Sequence, residues 1–507
     1  MSVTLDEQNK LTLRIAAWGA VSLMSAAGAA GSPHKAATEG SIALTSATGL
    51  VGHVLAKAPK GLNVKSTAAL ADQVLPALTA AMTLLREQAP AEADNFRRTV
   101  IVAIEAATRP QKGEASPTMA EMARKITEAL DVASATPGAA TPDSSLAMPP
   151  AGQDRPELQK LIQEMVDSGF VGVTLRVHDE RGEWVGSAGV RELGQSEKPP
   201  ANGHFRIGSN TKTFTATVVL QLVAEGEIGL DTAVDDYLPE FGLDRRITVR
   251  MLLQHTSGVF NFTGDHYPEY VPGIVYQGRE WVENRFRTYQ PEELVRLALS
   301  KPARFEPGTG WSYSNTNYVL ARLLVEKVTG RSLGEETQRL ILGPLGLSGT
   351  VVPDTSTDVP EPHAHAYYRY EEDGQEKVAD VTRQNPSWIS TGGDMISTTQ
   401  DLHTFISALV GGRLLPAELL AEMCTPYPEI GYGLGVFVQD APGGGTVITH
   451  NGGITGHAAL MYSTPDGGRT LTASLNYVDD AALSMGEAFQ KATQRLVEEV
   501  FGGGETL

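Results

Sequence analysis

Hydrophobic spacing divides the chain into two parts of different kind. Over residues 1–132 apolar positions recur at helical intervals, as with Leu70, Val74, Leu78, Ala81 and Leu85, and again with Val100, Ile101 and Ile104. The pattern predicts helices near 4–30, 38–57, 66–88, 91–108 and 117–132. Ser66 and Ser116 suit N-caps, and Pro117 suits a first helical position. Pro76 is expected to kink or split the third helix. Residues 133–151 hold four prolines and a single charge, Asp143. No periodicity survives there, so the stretch reads as a semi-extended linker.

From Pro156 the pattern changes. A helix at 156–168 precedes strands at 170–179 and 182–190, joined by the turn Glu180-Arg181. A long helix covers about 210–225, and others fall near 291–300, 315–329 and 399–410. Strand-like runs follow at 432–439, 446–450, 456–463 and 469–476, then a helix at 481–500. Strands at both ends with helices between predict one antiparallel sheet, completed by both ends of the segment and flanked by helices. The expected organisation is a helical domain at 1–132, a linker at 133–151 and an α/β domain of the α+β type at 152–507.

Composition narrows the chemistry. The 507 residues are 41% hydrophobic and 20% charged, ordinary for a globular chain. Cys424 is the single cysteine, which excludes disulfide scaffolds, cysteine zinc sites and iron–sulfur clusters within one chain. Residues 1–150 carry 13 basic and 13 acidic side chains, whereas 151–507 carry 28 and 47, so the net −19 lies entirely in the second part. Such a surface disfavours nucleic acid and anionic membranes as partners.

Residues 11–31 have an apolar run with small residues at Ala29-Ala30, as a signal peptide would. Asp6 and Glu7 cancel Lys10 and Arg14, however, and Thr4 with Glu7 fits a capping box. The balance favours a cytoplasmic location, with secretion or the cell envelope as the alternative. Apolar runs here are too short for a membrane span.

Three motifs can carry chemistry. Ser209-Asn210-Thr211-Lys212 opens the helix at 210–225, so the Ser209 hydroxyl lies where free backbone N–H groups favour negative charge. Lys212, one turn on, can reach that hydroxyl and, if desolvated, accept its proton. A second S-x-x-K, Ser32-Pro33-His34-Lys35, lacks this context and reads as chance. Tyr313-Ser314-Asn315 follows a loop held by Pro307 and Gly308. Its phenol can relay a proton, and Asn315 can bond Lys212 and a substrate amide. His450-Asn451-Gly452-Gly453 ends a strand, with glycines that admit close backbone approach; an N-G hairpin turn is the plain alternative. His363 and His365 sit in a polar loop expected to face solvent, so no metal is expected.

The order Ser-x-x-Lys, Tyr-x-Asn, His-x-Gly resembles the serine penicillin-recognising hydrolases. The likeness is closest to the actinomycete serine D-Ala-D-Ala carboxypeptidases/transpeptidases of the class C β-lactamase-like family. ITVRMLLQHTSG (247–258), STGGDMISTTQDL (390–402) and YGLGV (432–436) agree with it. The resemblance covers about 155–500 and implies an acyl-enzyme on Ser209. Lys212 and Tyr313 would form the proton-transfer pair, Asn315 would position the substrate amide, and Ser209 and Gly453 N–H groups would form the oxyanion hole. His450 would stand where β-lactamases often carry Lys, and Trp388 would line the cleft.

Two departures stand out. Asn451 and Gly453 replace the hydroxyl residues of the carboxypeptidase branch, and Phe437 falls at about the position of its carboxylate-binding Arg. No Lys or Arg occurs between Arg413 and Arg469. The expected function is therefore an acyl-serine hydrolase of carboxypeptidase type. An esterase, a D-amino-acid amidase, a β-lactamase and a non-catalytic penicillin-binding sensor are the alternatives. The partner is a small-molecule or peptide substrate, no cofactor is implied, and the helical domain has no assigned role, a protein partner being one it could take.

Overall fold

The computed structural model of the protein describes residues 7–27, 67–88, 90–108, 117–131, 155–266 and 269–502, with isolated positions between 44 and 59. The chain divides into two compact units, Met1–Leu146 and Ala147–Leu507.

In the first unit the described helices are α1 (Glu7–Ala27), α2 (Thr67–Gln88), α3 (Pro90–Thr108) and α4 (Pro117–Asp131). Their shared core buries Leu13, Ala17, Leu70, Val74, Leu78, Phe96, Val100 and Leu130. The small residues of α1 let the helices meet closely: a Cβ on Gly19 would lie 2.3 Å from Val74 Cγ2. Pro76 does not split α2. It lies on the exposed face, where the carbonyl it leaves without a partner can bond water. The helix expected at 38–57 and the caps Ser66, Ser116 and Thr4 lie largely or wholly outside the described residues, as do Ser32 and the 133–151 segment. Among the described residues no helix is long and apolar enough to cross a membrane.

The second unit is built on an antiparallel sheet. Its strands are β1 (Gly172–Asp179), β2 (Gly182–Gly189), β3 (Phe437–Asp440), β4 (Thr446–Thr449), β5 (Gly452–Ile454), β6 (His457–Ser463) and β7 (Thr470–Asn476). Their order is β2-β1-β7-β6-β4-β3, with β5 paired to β6. Gly172 lies opposite Asn476, so the first and last long strands meet at the centre. Period-two alternation assigns each side chain to a face. Ala458, Leu460 and Tyr462 of β6 join one core with α5 (Pro156–Asp167) and the C-terminal helix Gly486–Phe501. Ala459 and Met461 join the other, which holds α6 (Thr211–Ala224), α7 (Asn315–Thr329) and α8 (Thr399–Val410). α6 is buried almost all round, and Phe214 stacks on Phe405 of α8 at 3.6 Å.

The departures from expectation are local. The run 432–439 is strand only from Phe437; Tyr432–Val436 is a tight turn closed by Gly433 N–H donating to Val436 O at 2.8 Å. Gly435, at φ 84°, leaves no room for a side chain there: a Cβ would lie 2.5 Å from Ala216 Cβ and 3.1 Å from the Lys212 carbonyl. Asn451-Gly452 is not a hairpin turn. Gly452–Ile454 forms β5, which pairs with His457–Ala459, so the reversal falls at Thr455-Gly456. A hairpin of Tyr367–Glu372 and Gln375–Asp380, joined by Val478–Asp480, was not apparent in the pattern.

Candidate active site

Ser209 sits half-buried in a 3₁₀ turn, Gly208–Asn210, that runs directly into α6. Lys212 Nζ donates to Ser209 Oγ at 3.2 Å, to Asn315 Oδ1 at 2.7 Å and to the Gly392 carbonyl at 2.5 Å. Tyr313 OH donates to the same Ser209 Oγ at 2.9 Å. The lysine ammonium position also lies 4.6 Å from the Tyr313 ring centroid. Ser209, Lys212, Tyr313 and Asn315 therefore form one hydrogen-bonded cluster drawn from two stretches of chain. Asn315 begins α7, and its own amide Nδ2 donates to Thr263 Oγ1 at 3.4 Å.

Burial sets the protonation of this cluster. Lys212 is fully buried, and desolvation holds its amine well below the usual lysine range, opposed by the charge of Asp394. Desolvation pushes the Tyr313 phenol above its ordinary value, and the bond to Ser209 opposes this. The three donated bonds use all three N–H groups of an ammonium, and desolvation makes that ammonium give up its proton more readily than an exposed lysine would, while the phenol keeps its own.

The glycine-rich strand completes the wall. A Cβ on Gly452 would lie 2.8 Å from Ser209 N, and one on Gly208 only 2.5 Å from Gly453 N. The Gly208–Ser209 backbone and the Gly452–Gly453 backbone thus lie in close contact with no room for side chains between them. Gly208, at φ 49°, can make that approach only without a side chain.

His450 is buried on the same face. Its Nδ1 bonds the Asn451 carbonyl at 2.8 Å, which can only accept, so Nδ1 carries the proton. Nε2 is then free to accept from Tyr432 OH at 3.2 Å. Burial, aided by the Lys212 charge and opposed by the backbone bond, pushes the imidazole down to about 3, so it is neutral at neutral pH. Phe437 packs edge-on against Tyr432 (4.6 Å) and His450 (5.6 Å).

Two expected residues are engaged with other partners. Asn451 alternates to the other face and donates its amide to Tyr462 OH at 2.7 Å, so its side chain is not brought to Ser209. Trp388 is buried, stacks on Tyr276 at 5.5 Å and donates to Gln384 Oε1.

Several neighbours had no assigned part in the sequence reading. His255, Trp311 and Tyr432 surround Tyr313, with the His255 ring 4.4 Å from it, and Tyr318 packs on His255. His255 Nδ1 accepts from the Ser314 N–H and the Asn317 amide, which anchors the Tyr313 loop. The Gly392 carbonyl is a ligand of Lys212. All five come from segments already singled out, but a backbone acceptor and a ring contact leave no residue-type signature.

A serine with a buried lysine and a tyrosine hydroxyl defines a serine acyl hydrolase. The chain belongs to the family described as Beta-lactamase, whose profile matches residues 158–491. It is similar to the D-stereospecific amidohydrolase from Streptomyces sp., at 38% identity over 69% of this chain and 99% of that one, with a TM-score of 0.60. It is also similar to the D-amino acid amidase from Ochrobactrum anthropi SV3 (26% identity, 68% and 98% coverage, TM-score 0.59). Penicillin-binding protein 4* of Bacillus subtilis (strain 168) is 26% identical over 325 residues, 61% of this chain and 68% of that protein.

Proposed function

We propose that this enzyme hydrolyses neutral carboxyl derivatives, amides and esters, through an acyl-enzyme on Ser209. Amides and esters of D-amino acids are the first substrates to try, given the likeness to the Streptomyces amidohydrolase. In this reading Ser209 Oγ attacks the substrate carbonyl. Its proton passes into the Lys212–Tyr313 pair, and the carbonyl oxygen takes up negative charge between the Ser209 and Gly453 N–H groups. The pair returns the proton to the leaving amine or alcohol. Water then attacks the acyl-enzyme by the same route, releasing the acid and restoring Ser209. Asn315 Nδ2 positions the acyl-side amide.

One observation carries the substrate choice: an aromatic ring, Phe437, packs on His450 where a carboxypeptidase needs a cation for the terminal carboxylate. Neutral His450 cannot supply that charge. Nor do the arginines of the middle region substitute. Arg279 is paired with Glu283 and Glu372, and Arg285 donates to the Val282 carbonyl and stacks over Phe286. A free carboxylate entering here would lose hydration without compensation.

The test is kcat/KM for one peptide with a free C-terminus and its matched amide or methyl ester. The amide or ester should be favoured. A tenfold preference for the free acid, about 1.4 kcal/mol, would overturn the reading.

The helices of the first unit contribute none of these residues. We propose that residues 1–132 form a separate module, joined through 133–151 to the hydrolase domain.

A further inference from the structure

Lys212 is wholly buried, and its three hydrogen-bond partners, Ser209 Oγ, Asn315 Oδ1 and Gly392 O, are all neutral. A buried amine that must carry a proton during each half-reaction needs a negative charge within range, because neutral acceptors alone do not offset the lost hydration of an ammonium. One buried carboxylate whose charge acts on it has no part in the chemistry described so far. Asp394 is 0% exposed, and neither side-chain oxygen has a hydrogen-bond partner among the described residues. Buried carboxylates that serve structure are normally saturated with donors, so this one calls for another explanation.

The segment that carries Asp394 is fixed to the nucleophile turn at three points. The Gly392 carbonyl takes the Lys212 ammonium, the Met395 N–H donates to Thr211 Oγ1 at 3.1 Å, and the Ile207 N–H donates to the Met395 carbonyl at 3.0 Å. Asp394 lies between these contacts. The other charges that act on it are Arg206, Arg322 and Asp354. Arg322 bonds Glu326, Asp354 and Ser390; Arg206 Nη2 donates to the Thr357, Thr382 and Gln384 carbonyls, while its buried Nε and Nη1 have no hydrogen-bond partner among the described residues, so Asp394 also serves as a counter-charge to Arg206. On the side of Lys212, His255 and His450 are buried and neutral and Tyr313 keeps its proton, which leaves Asp394 as the negative charge that acts on the amine.

We infer that Asp394 is a positioning residue for this reaction, the buried counter-charge that lets the desolvated Lys212 take and hold a proton. The inference rests on the proposed roles of Ser209 and Lys212. Burial raises Asp394 to about 6, so it is ionised at neutral pH and loses its charge in mild acid.

The experiment is the pH profile of kcat/KM on p-nitrophenyl acetate for wild type, Asp394→Asn and Asp394→Glu. Removing the charge disfavours the ammonium further. Whether Lys212 acts as the neutral base or as the ammonium partner of Tyr313, the limb it governs moves to lower pH, by about one unit. Asp394→Glu, which keeps the charge, should leave that limb near its wild-type position. A uniform fall in activity with both limbs unmoved would overturn the inference, because a merely structural carboxylate would act in that way. Should Asp394→Asn fail to fold, the wild type carries the test through its rate of fluorophosphonate labelling. A break near pH 6 is expected, and a profile without one contradicts the inference. Labelling that persists in Ser209→Ala would instead refute the proposed function and is read separately.

Discussion

Phe437→Arg places a cation where the proposed substrate preference says one is missing. Phe437 heads β3, the edge strand of the sheet, and is only half-buried, so a guanidinium there can reach the cleft without being entombed. The substitution removes two edge-on aromatic contacts, to Tyr432 and His450. At about 0.5–1.5 kcal/mol each, this costs roughly 1–3 kcal/mol of stability, visible as a lower melting temperature. In return a substrate carboxylate gains a charge-assisted hydrogen bond of about 1.5–3 kcal/mol. The ratio of kcat/KM for free acid over matched amide should therefore rise by about 10- to 150-fold relative to wild type. Phe437→Leu removes the ring without adding charge and should leave the ratio alone. A folded Phe437→Arg enzyme with an unchanged ratio would refute the reasoning, since the terminal carboxylate would then not lie beside His450.

Further outcomes follow from the same geometry. Gly208→Ala drives a methyl group into the Gly453 backbone, where no side chain can yield, so kcat should fall by about 10²-fold; a wild-type kcat would contradict the shared backbone site. His457 is buried and pushed down to about 3 by desolvation and the Arg206 charge, from an ordinary value of 6.5. The unfolded chain therefore binds more protons between these values, and stability is lost as pH falls from about 6.5 towards 3. His457→Gln should flatten the fall of melting temperature across that window, and an equal slope would contradict this. A 152–507 fragment should keep hydrolase activity, and an inactive fragment would make the first unit part of the catalytic body.

What was legible in the sequence follows the range of each interaction. Ser209 and Lys212 share one helical turn, so their spacing already brought the side chains together. The Asn315 contact with Lys212 followed from residue type once the helix start was placed. The Gly392 carbonyl, the ring cage around Tyr313 and the Asp394 charge depend on segments far apart in the chain, and no local pattern announces them. Tyr432–Val436 looked like strand because it alternates apolar residues with glycine. Packing against α6 made those glycines a turn instead. Asn451-Gly452 looked like a turn by its own preference, but pairing with β6 held it as strand. The sequence placed Asn451 correctly along the chain, and strand alternation then turned it away from the site.

The central claim is that Ser209 is acylated. Its most direct test is to react the full-length protein with a fluorophosphonate or a fluorescent penicillin and map the adduct by peptide mass spectrometry. One adduct is expected, on the peptide that contains Ser209; it should vanish in Ser209→Ala and persist in Ser32→Ala. An adduct elsewhere, or one that survives Ser209→Ala, would contradict the account.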